Sequence, residues 1–225
     1  DAVAALRSRG IKVYIATGRP VPFIDNLGEL EYDGMITVTG AHCFTRGGEI
    51  IFHRPVSAES VERVVEHLTH GTDAYPVIFV CSDEMFITEL NEDVDAVARS
   101  ASYARGKDVL QLISFFKADR EPHFMTELMP DCTSMRWHPF FTDVIAGGVD
   151  KSVGIDKVLA YEGLSLDEAM AFGDGGNDVT MLSHVPYGIA MGNACDELKR
   201  VAAYVTDSVD EDGVEKALRH FGLID

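Results

Sequence analysis

Positive charge is scarce in this sequence. Its 225 residues carry 19 Lys and Arg against 37 Asp and Glu, a formal net charge of −18. Nucleic acids and anionic membrane surfaces attract basic patches, so this balance argues against both as partners. A phosphorylated ligand would need a local cationic group or a metal ion to be bound at all.

Long apolar runs and paired cysteines are also lacking. No apolar stretch approaches the roughly 18 residues that span a bilayer, and no signal peptide opens the sequence. The scattered cysteines Cys43, Cys81, Cys132 and Cys195 show no C-x-x-C spacing. Such a pattern is typical of reduced thiols, not of a disulfide frame or a zinc site. We therefore expect a cytoplasmic protein, and the sequence says nothing about its oligomeric state.

Strands and helices alternate at both ends of the sequence. Strands are predicted at residues 11–18, 34–41, 168–174 and 187–193, and helices at 1–10, 22–30, 152–163, 195–204 and 213–222. This alternation predicts an α/β fold with a Rossmann-like, doubly wound parallel sheet.

The middle of the sequence follows a different pattern. A predicted amphipathic helix at residues 57–70 precedes two strands within 75–90, a helix at 94–104 and further strands up to Gly147. This order is typical of an antiparallel α+β module. We therefore predict a core domain of residues 1–56 and 147–225, interrupted by a cap domain of residues 57–146.

A glycine-rich loop follows the apolar strand that ends near residue 173. In "GDGGND", Asp174 lies between Gly173 and Gly175. Asp178 comes four residues after Asp174 and two after Gly176. Ligands of open parallel sheets bind beyond the carboxyl ends of the strands. Two carboxylates there suit Mg²⁺, which takes one or two carboxylates plus water and phosphate oxygens. The alternative is a structural glycine-rich turn.

Two further segments favour an anion site. In "ATGR", Thr17 and Gly18 end a strand where a hydroxyl and backbone amides can meet an anion. Lys151 opens a predicted helix, where a cation opposes the macrodipole unless an anion lies in front of it. Each feature alone is as compatible with a structural threonine or a solvated lysine.

The order of TGR, an insertion, a helix-opening lysine and GDGGND resembles the haloacid dehalogenase superfamily, and specifically its Cof-type sugar phosphatases. The segment "GIAMGNACDELK" looks like the C-terminal part of that family. The resemblance covers the whole chain. Thr39 is a departure, because the family usually has asparagine before Gly-Ala at that position.

The resemblance also implies a D-x-D-G-T loop after a first strand, which this sequence does not contain. We expect the nucleophilic aspartate and its acid/base partner to lie upstream of residue 1. That first strand would be central, between the strands near residues 11–15 and 169–172. A chain truly lacking it is expected to fold poorly and to be inactive.

The resemblance implies a Mg²⁺-dependent phosphatase of small phosphorylated metabolites that works through an aspartyl-phosphate. Asp174 and Asp178 would hold the metal, Asp174 more directly. Lys151 would pair with the nucleophile and the phosphoryl oxygens, and Thr17, Gly18 and Asn177 would bind phosphate. Two alternatives remain: a phosphomannomutase-like phosphomutase, or a non-catalytic phosphoester-binding protein if the chain truly starts at Asp1.

Overall fold

A computed structural model describes residues 2–25, 27–89 and 96–225. The chain forms two compact units. Unit 1 comprises Asp1–Gly18, Asn26–Phe52 and Asp150–Asp225, and unit 2 comprises Arg19–Asp25 and His53–Val149. Residues 19–25, 53–56 and 147–149, which were predicted to belong to the core domain, group with unit 2.

The helices and strands of both units are short. The α-helices are α1 (Ala2–Ser8), α2 (Ala58–His70), α3 (Glu121–His123, continued by a π-helical turn at Phe124–Leu128), α4 (Lys151–Glu162), α5 (Val179–His184), α6 (Asp196–Val201) and α7 (Gly213–His220). The strands are β1 (Tyr14–Ala16), β2 (Gly34–Thr37), β3 (His42–Thr45), β4 (Ile50–His53), β5 (Val77–Cys81), β6 (Met85–Ile87), β7 (Val97–Ala98), β8 (Val109–Ser114), β9 (Cys132–His138), β10 (Phe141–Ala146), β11 (Met170–Gly173), β12 (Tyr187–Ala190) and β13 (Tyr204–Val205).

Unit 1 contains two sheets, which confirms the predicted α/β class. One has the order β1-β2-β3-β4, with β1 and β2 parallel, and the other is the parallel sheet β11-β12-β13. β1 and β11 are each the terminal strand of their sheet. Val13, Met170 and Phe172 all pack against one apolar cluster, formed by Leu6, Leu218 and Ile224.

Helix α4 packs closely on β2 and β3 because it carries a glycine at the contact. A Cβ on Gly154 would lie 2.6 Å from Ile36 Cγ2, 3.2 Å from Gly40 Cα and 3.3 Å from Cys43 Sγ. The helix ends at Gly163 in the left-handed conformation, which is a common helix C-cap. The absent side chain thus lets the backbone of α4 approach the loop that follows β2.

Unit 2 is built on a six-stranded sheet of order β7-β6-β5-β8-β10-β9. All neighbouring strands pair antiparallel except β6 with β7. One face packs on α2 through a cluster that includes Val64, Phe79 and Phe86. The rings of Phe79 and Phe86 are stacked at 5.2 Å.

Two of the predicted helices are wrong. Within residues 22–30 the described chain has only the end of a 3-10 turn, Val21–Phe23, and Gly28 adopts φ +52. Within residues 94–104 the described part forms β7 and a 3-10 turn at Ala101–Ala104, while residues 94 and 95 lie outside the described residues. Helical apolar spacing in both segments is short, so tertiary contacts decide the local structure.

In the described ranges, no helix is both long enough and apolar enough to cross a membrane.

Candidate functional site

The loop after β11 is organised around the carboxylate of Asp178. Asp178 is buried, and its Oδ2 accepts hydrogen bonds from the backbone amides of Asp174 and Gly175, both at 3.0 Å. A Cβ on Gly173 would lie 2.6 Å from Asp178 Cβ, and one on Gly175 would lie 2.9 Å from Asn177 Oδ1. A side chain at position 173 would therefore clash with Asp178, whereas one at position 175 would require only the end of the Asn177 side chain to move.

Lys151 forms a buried ion pair with this aspartate. Its Nζ donates to Asp178 Oδ1 at 2.5 Å, and the side chains of Lys151 and Asp178 are 4% and 7% exposed. Asp150 caps α4 by accepting from the amides of Ser152 at 2.8 Å and Val153 at 3.2 Å. An anion was expected in front of Lys151 at the start of its helix, and in the structure the carboxylate of Asp178 occupies that place.

A loop of unusual backbone conformation connects β2 and β3. Val38, Thr39 and Gly40 follow one another with φ of +50, +52 and +96. A Cβ on Gly40 would lie 2.0 Å from the carbonyl oxygen of Asp150, so the loop touches the first residues of α4. β-branched residues rarely adopt positive φ, and such strained conformations cluster at functional sites.

Gly18 lies where this loop meets the glycine-rich loop. A Cβ on Gly18 would lie 3.2 Å from Asn177 Nδ2 and 3.3 Å from Thr39 Oγ1. The preceding residue belongs to the same network, because the amide of Thr17 donates to Ile36 O at 2.8 Å and the amide of Thr39 donates to Thr17 O at 3.3 Å. Three loops that are distant in sequence therefore meet at the carboxyl ends of β1, β2 and β11.

Cys43 lies beside these loops but is not a nucleophile of the site. Its side chain is fully buried, and its Sγ donates to the carbonyl oxygens of Gly40 at 3.7 Å and Gly154 at 3.9 Å. Burial raises the pKa of the Cys43 thiol to about 12. The thiolate is the reactive form of cysteine, so Cys43 stays inert near neutral pH.

Asp174 differs from Asp178 in its surroundings. It is exposed, and its Oδ2 accepts a hydrogen bond from Asn193 Nδ2 at 3.2 Å. Asn177 is also exposed, on the same loop. Asn193 was not predicted as a site residue, although it follows β12, whose carboxyl end lies at the same sheet edge as that of β11. Its position after a strand that neighbours β11 could therefore have identified it as a candidate site residue.

The predicted site residues are brought together, with one difference in their pairing. Lys151 was predicted to pair with a nucleophile and with phosphoryl oxygens, whereas its ammonium donates to Asp178. Lys151 and the two aspartates together carry a formal net charge of −1. A phosphate dianion would be repelled by that charge without a further cation.

The side chains present fit a Mg²⁺ ion better than a transition metal. The candidate ligands are carboxylate oxygens, which are hard donors. Among residues 2–25, 27–89 and 96–225, no group of three or more His, Cys, Asp or Glu side chains could hold a metal ion. Mg²⁺ needs no such cage, because it keeps several waters and uses one or two carboxylates with substrate phosphate.

Known proteins resemble this chain over nearly its whole length. The sequence model of the haloacid dehalogenase-like hydrolases matches residues 1–218. The Bacillus subtilis (strain 168) protein named "Putative phosphatase YkrA" is 32% identical over 234 residues, which cover 99% of this chain and 89% of that protein.

Solved structures show the same likeness. The subclass IIB sugar phosphatase BT4131 is 37% identical with a TM-score of 0.85, over 99% of this chain and 90% of that chain. BT1666 from Bacteroides thetaiotaomicron, studied among the phosphatases of its enzyme superfamily, is 33% identical with a TM-score of 0.87, over 100% and 87% of the two chains.

Proposed function

The chain belongs to the haloacid dehalogenase-like hydrolases, and we propose that it is a Mg²⁺-dependent phosphatase of small phosphorylated metabolites, with sugar phosphates first among them. The family membership supports phosphatase chemistry, and the likeness to a sugar phosphatase supports the substrate class. The observation that carries the proposal is the meeting of the Lys151–Asp178 pair, the Gly18–Asn177 contact and the exposed Asp174 at one sheet edge.

In this proposal, each residue has a separate task. Thr17 and Gly18 donate hydrogen bonds to the phosphate, and Asn177 binds it from the glycine-rich loop. Lys151 balances negative charge at the edge of the site. Phosphoryl transfer needs positioning and charge stabilisation more than covalent chemistry from the protein, which suits these side chains.

Asp174 and Asp178 would hold the Mg²⁺ ion, with Asp174 as the more direct ligand. Asp178 Oδ2 already accepts two amides and Oδ1 accepts Lys151, whereas Asp174 is exposed. When bound, the ion supplies positive charge that offsets the phosphate. Asp178 then acts mainly by fixing the loop from which Asp174 projects.

The nucleophile of the proposed reaction is an aspartate in a segment upstream of residue 1. It attacks phosphorus, the leaving alcohol takes a proton from a second aspartate of that segment, and water hydrolyses the aspartyl-phosphate. No D-x-D-G-T sequence occurs among the 225 residues. That β1 and β11 each end a sheet is consistent with an additional strand between them.

We further propose that residues 57–146 form the cap-type insertion that selects the substrate. In unit 2 these residues make a separate sheet and core, which gives the chain a module that can vary independently of the phosphate site. The organic part of the substrate would be recognised by this module.

A phosphate-release assay on the full-length natural chain tests the function. With a panel of sugar phosphates and an aryl phosphate, we expect turnover with Mg²⁺, loss of turnover in EDTA, and no requirement for a sugar bisphosphate. Asp174→Asn is expected to lower kcat/KM by at least about a hundredfold, while Asp167→Asn, an acid outside the site, leaves it unchanged. Dependence on a bisphosphate would favour a phosphomutase. Binding of phosphoesters without turnover would favour a non-catalytic binding protein.

A further inference from the structure

Asn193 connects Asp174 to a loop that carries none of the residues assigned above. Its Nδ2 donates to Asp174 Oδ2 at 3.2 Å, and its Oδ1 accepts from the backbone amide of Val209 at 3.1 Å. Val209 opens the 3-10 turn Val209–Glu211, which precedes α7. One side chain therefore joins the loop after β11 to the segment after β13.

The orientation of the Asn193 amide follows from its two partners. A backbone amide can only donate, so the oxygen of the asparagine must face Val209. The remaining end of the side chain is then an NH₂ group, and a carboxylate can only accept. The hydrogen-bond network thus fixes which end of Asn193 faces Asp174, a choice that is otherwise ambiguous for this side chain.

The turn that carries Asn193 is held independently of Val209. The amide of Gly192 donates to Asp207 O at 3.0 Å, Lys199 Nζ donates to Gly192 O at 2.6 Å, and the amide of Ala194 donates to Met191 O at 2.9 Å. A Cβ on Gly192 would lie 2.6 Å from Ser208 N, so the two segments are in close backbone contact. Loss of the Val209 bond alone should leave the Asn193 backbone in place.

We propose that Asn193 is a positioning residue for the divalent cation: it tethers one oxygen of Asp174 and so fixes the plane of the carboxylate. This inference rests on the proposed function, because it takes Asp174 as a metal ligand. Partners that hydrogen-bond to ligating carboxylates change metal affinity by about 10- to 100-fold when they are removed. The competing explanation is that Asn193 serves only to cap the Val209–Glu211 turn.

Two variants separate these explanations. Asn193→Ala removes both hydrogen bonds of the side chain. Ser208→Ala removes a different hydrogen bond of the Val209–Glu211 turn, from Ser208 Oγ to Glu211 Oε2 at 2.8 Å, and leaves both partners of Asn193 in place. That hydrogen bond is exposed, so the change disturbs no core packing.

The experiment measures Mg²⁺ binding to the full-length natural chain by calorimetry, without substrate, and the Mg²⁺ dependence of turnover. We expect Asn193→Ala to weaken Mg²⁺ binding by about tenfold or more, with kcat recovering at saturating Mg²⁺, and Ser208→Ala to change Mg²⁺ binding by less than about threefold. Equal Mg²⁺ affinity of Asn193→Ala and the unmodified protein, equal weakening by both variants, or no Mg²⁺ binding by the unmodified protein would overturn the inference.

The outcomes also distinguish this inference from the proposed function. If the unmodified protein binds Mg²⁺ and Asn193→Ala does not, while no phosphoester is hydrolysed, the positioning role stands and the phosphatase assignment fails. If phosphate is released but Mg²⁺ affinity is insensitive to Asn193→Ala, the phosphatase assignment stands and the positioning role fails.

Discussion

Lys151 and Asp178 lie 27 residues apart in the chain, and their side chains form a buried ion pair with 2.5 Å between Nζ and Oδ1. The pair joins the first residue of α4 to the loop between β11 and α5. Because both side chains are almost inaccessible, each charge depends on the other for its solvation. The stability of unit 1 is therefore tied to the geometry of the candidate site.

We predict that Asp178→Asn destabilises the protein by about 3–5 kcal/mol, because it leaves the buried ammonium of Lys151 without its counter-charge. Urea unfolding measures the free energy directly. Asp174→Asn is the matched control, since Asp174 is exposed and its change should cost less than about 0.5 kcal/mol. A cost below about 1 kcal/mol for Asp178→Asn would show that water reaches the ammonium.

The double variant Lys151→Met with Asp178→Asn is expected to recover much of that loss. Replacing both charges removes the uncompensated ion, and neutral replacements of a buried pair are often close to neutral in stability. The same unfolding measurement on the single and double variants gives the coupling energy between the two side chains. Additive losses would argue against a direct ion pair.

Gly40→Ala is predicted to destabilise the protein by about 3 kcal/mol or more, because the added Cβ meets backbone and φ is positive. The Cβ would lie 2.0 Å from the carbonyl oxygen of Asp150, and φ is +96. Gly10→Ala serves as the control, since Gly10 has φ +79 but no atom within 4 Å of its Cβ position. Thermal unfolding should show a loss of about 1–2 kcal/mol for the control.

Gly18→Ala is expected to change the site more than the fold. Its Cβ would meet only the ends of two side chains, Asn177 Nδ2 at 3.2 Å and Thr39 Oγ1 at 3.3 Å, which can shift by a few tenths of an ångström. We predict a stability loss below about 1 kcal/mol and a fall in kcat/KM of about tenfold, because small displacements of positioning groups are costly in catalysis. Unchanged kinetics with phosphoester substrates would remove Gly18 from the phosphate site.

The cysteines should differ sharply in their reactivity with an alkylating reagent. Burial raises the pKa of Cys43 to about 12 and, together with the charge of Glu84, that of Cys81 to about 11. Burial and the neighbouring Asp131 raise that of Cys132 to about 12. Because a raised pKa keeps a thiol protonated at pH 8, we expect mass spectrometry to find the exposed Cys195 alkylated first. Rapid labelling of Cys195→Ser at another cysteine would contradict this.

Local sequence patterns predicted the elements that frame the site. A helix was predicted at residues 152–163 and a strand at 168–174, and the structure has α4 at Lys151–Glu162 and β11 at Met170–Gly173. The helices predicted near residues 22–30 and 94–104 were wrong. Pro20 precedes the 3-10 turn Val21–Phe23 and Pro22 lies within it, and neither segment contains a long apolar stripe to stabilise a helix.

Pairings between residues distant in the chain could not be predicted from the sequence. Residue type put Asp174, Asp178 and Lys151 into one site, but only the packing decides which aspartate is buried against the ammonium. The left-handed backbone conformation of Val38 and Thr39 could not be predicted either, because the β-branched residues in "ITVTG" favour an extended strand. The role inferred for Asn193 depends on two hydrogen bonds to segments 16 and 19 residues away.

The discontinuity of unit 1 has a consequence for biosynthesis. The strands β1–β4 have all been made by His53, yet α4, which packs on that sheet through Gly154, begins only at Lys151. At about 5–20 residues per second, the ribosome needs several seconds to deliver the intervening residues. During that interval nearly all of unit 2 is synthesised as one continuous segment. The apolar surface of the β1–β4 sheet that α4 later covers stays exposed until then. Unit 1 must therefore be finished last, although it begins first.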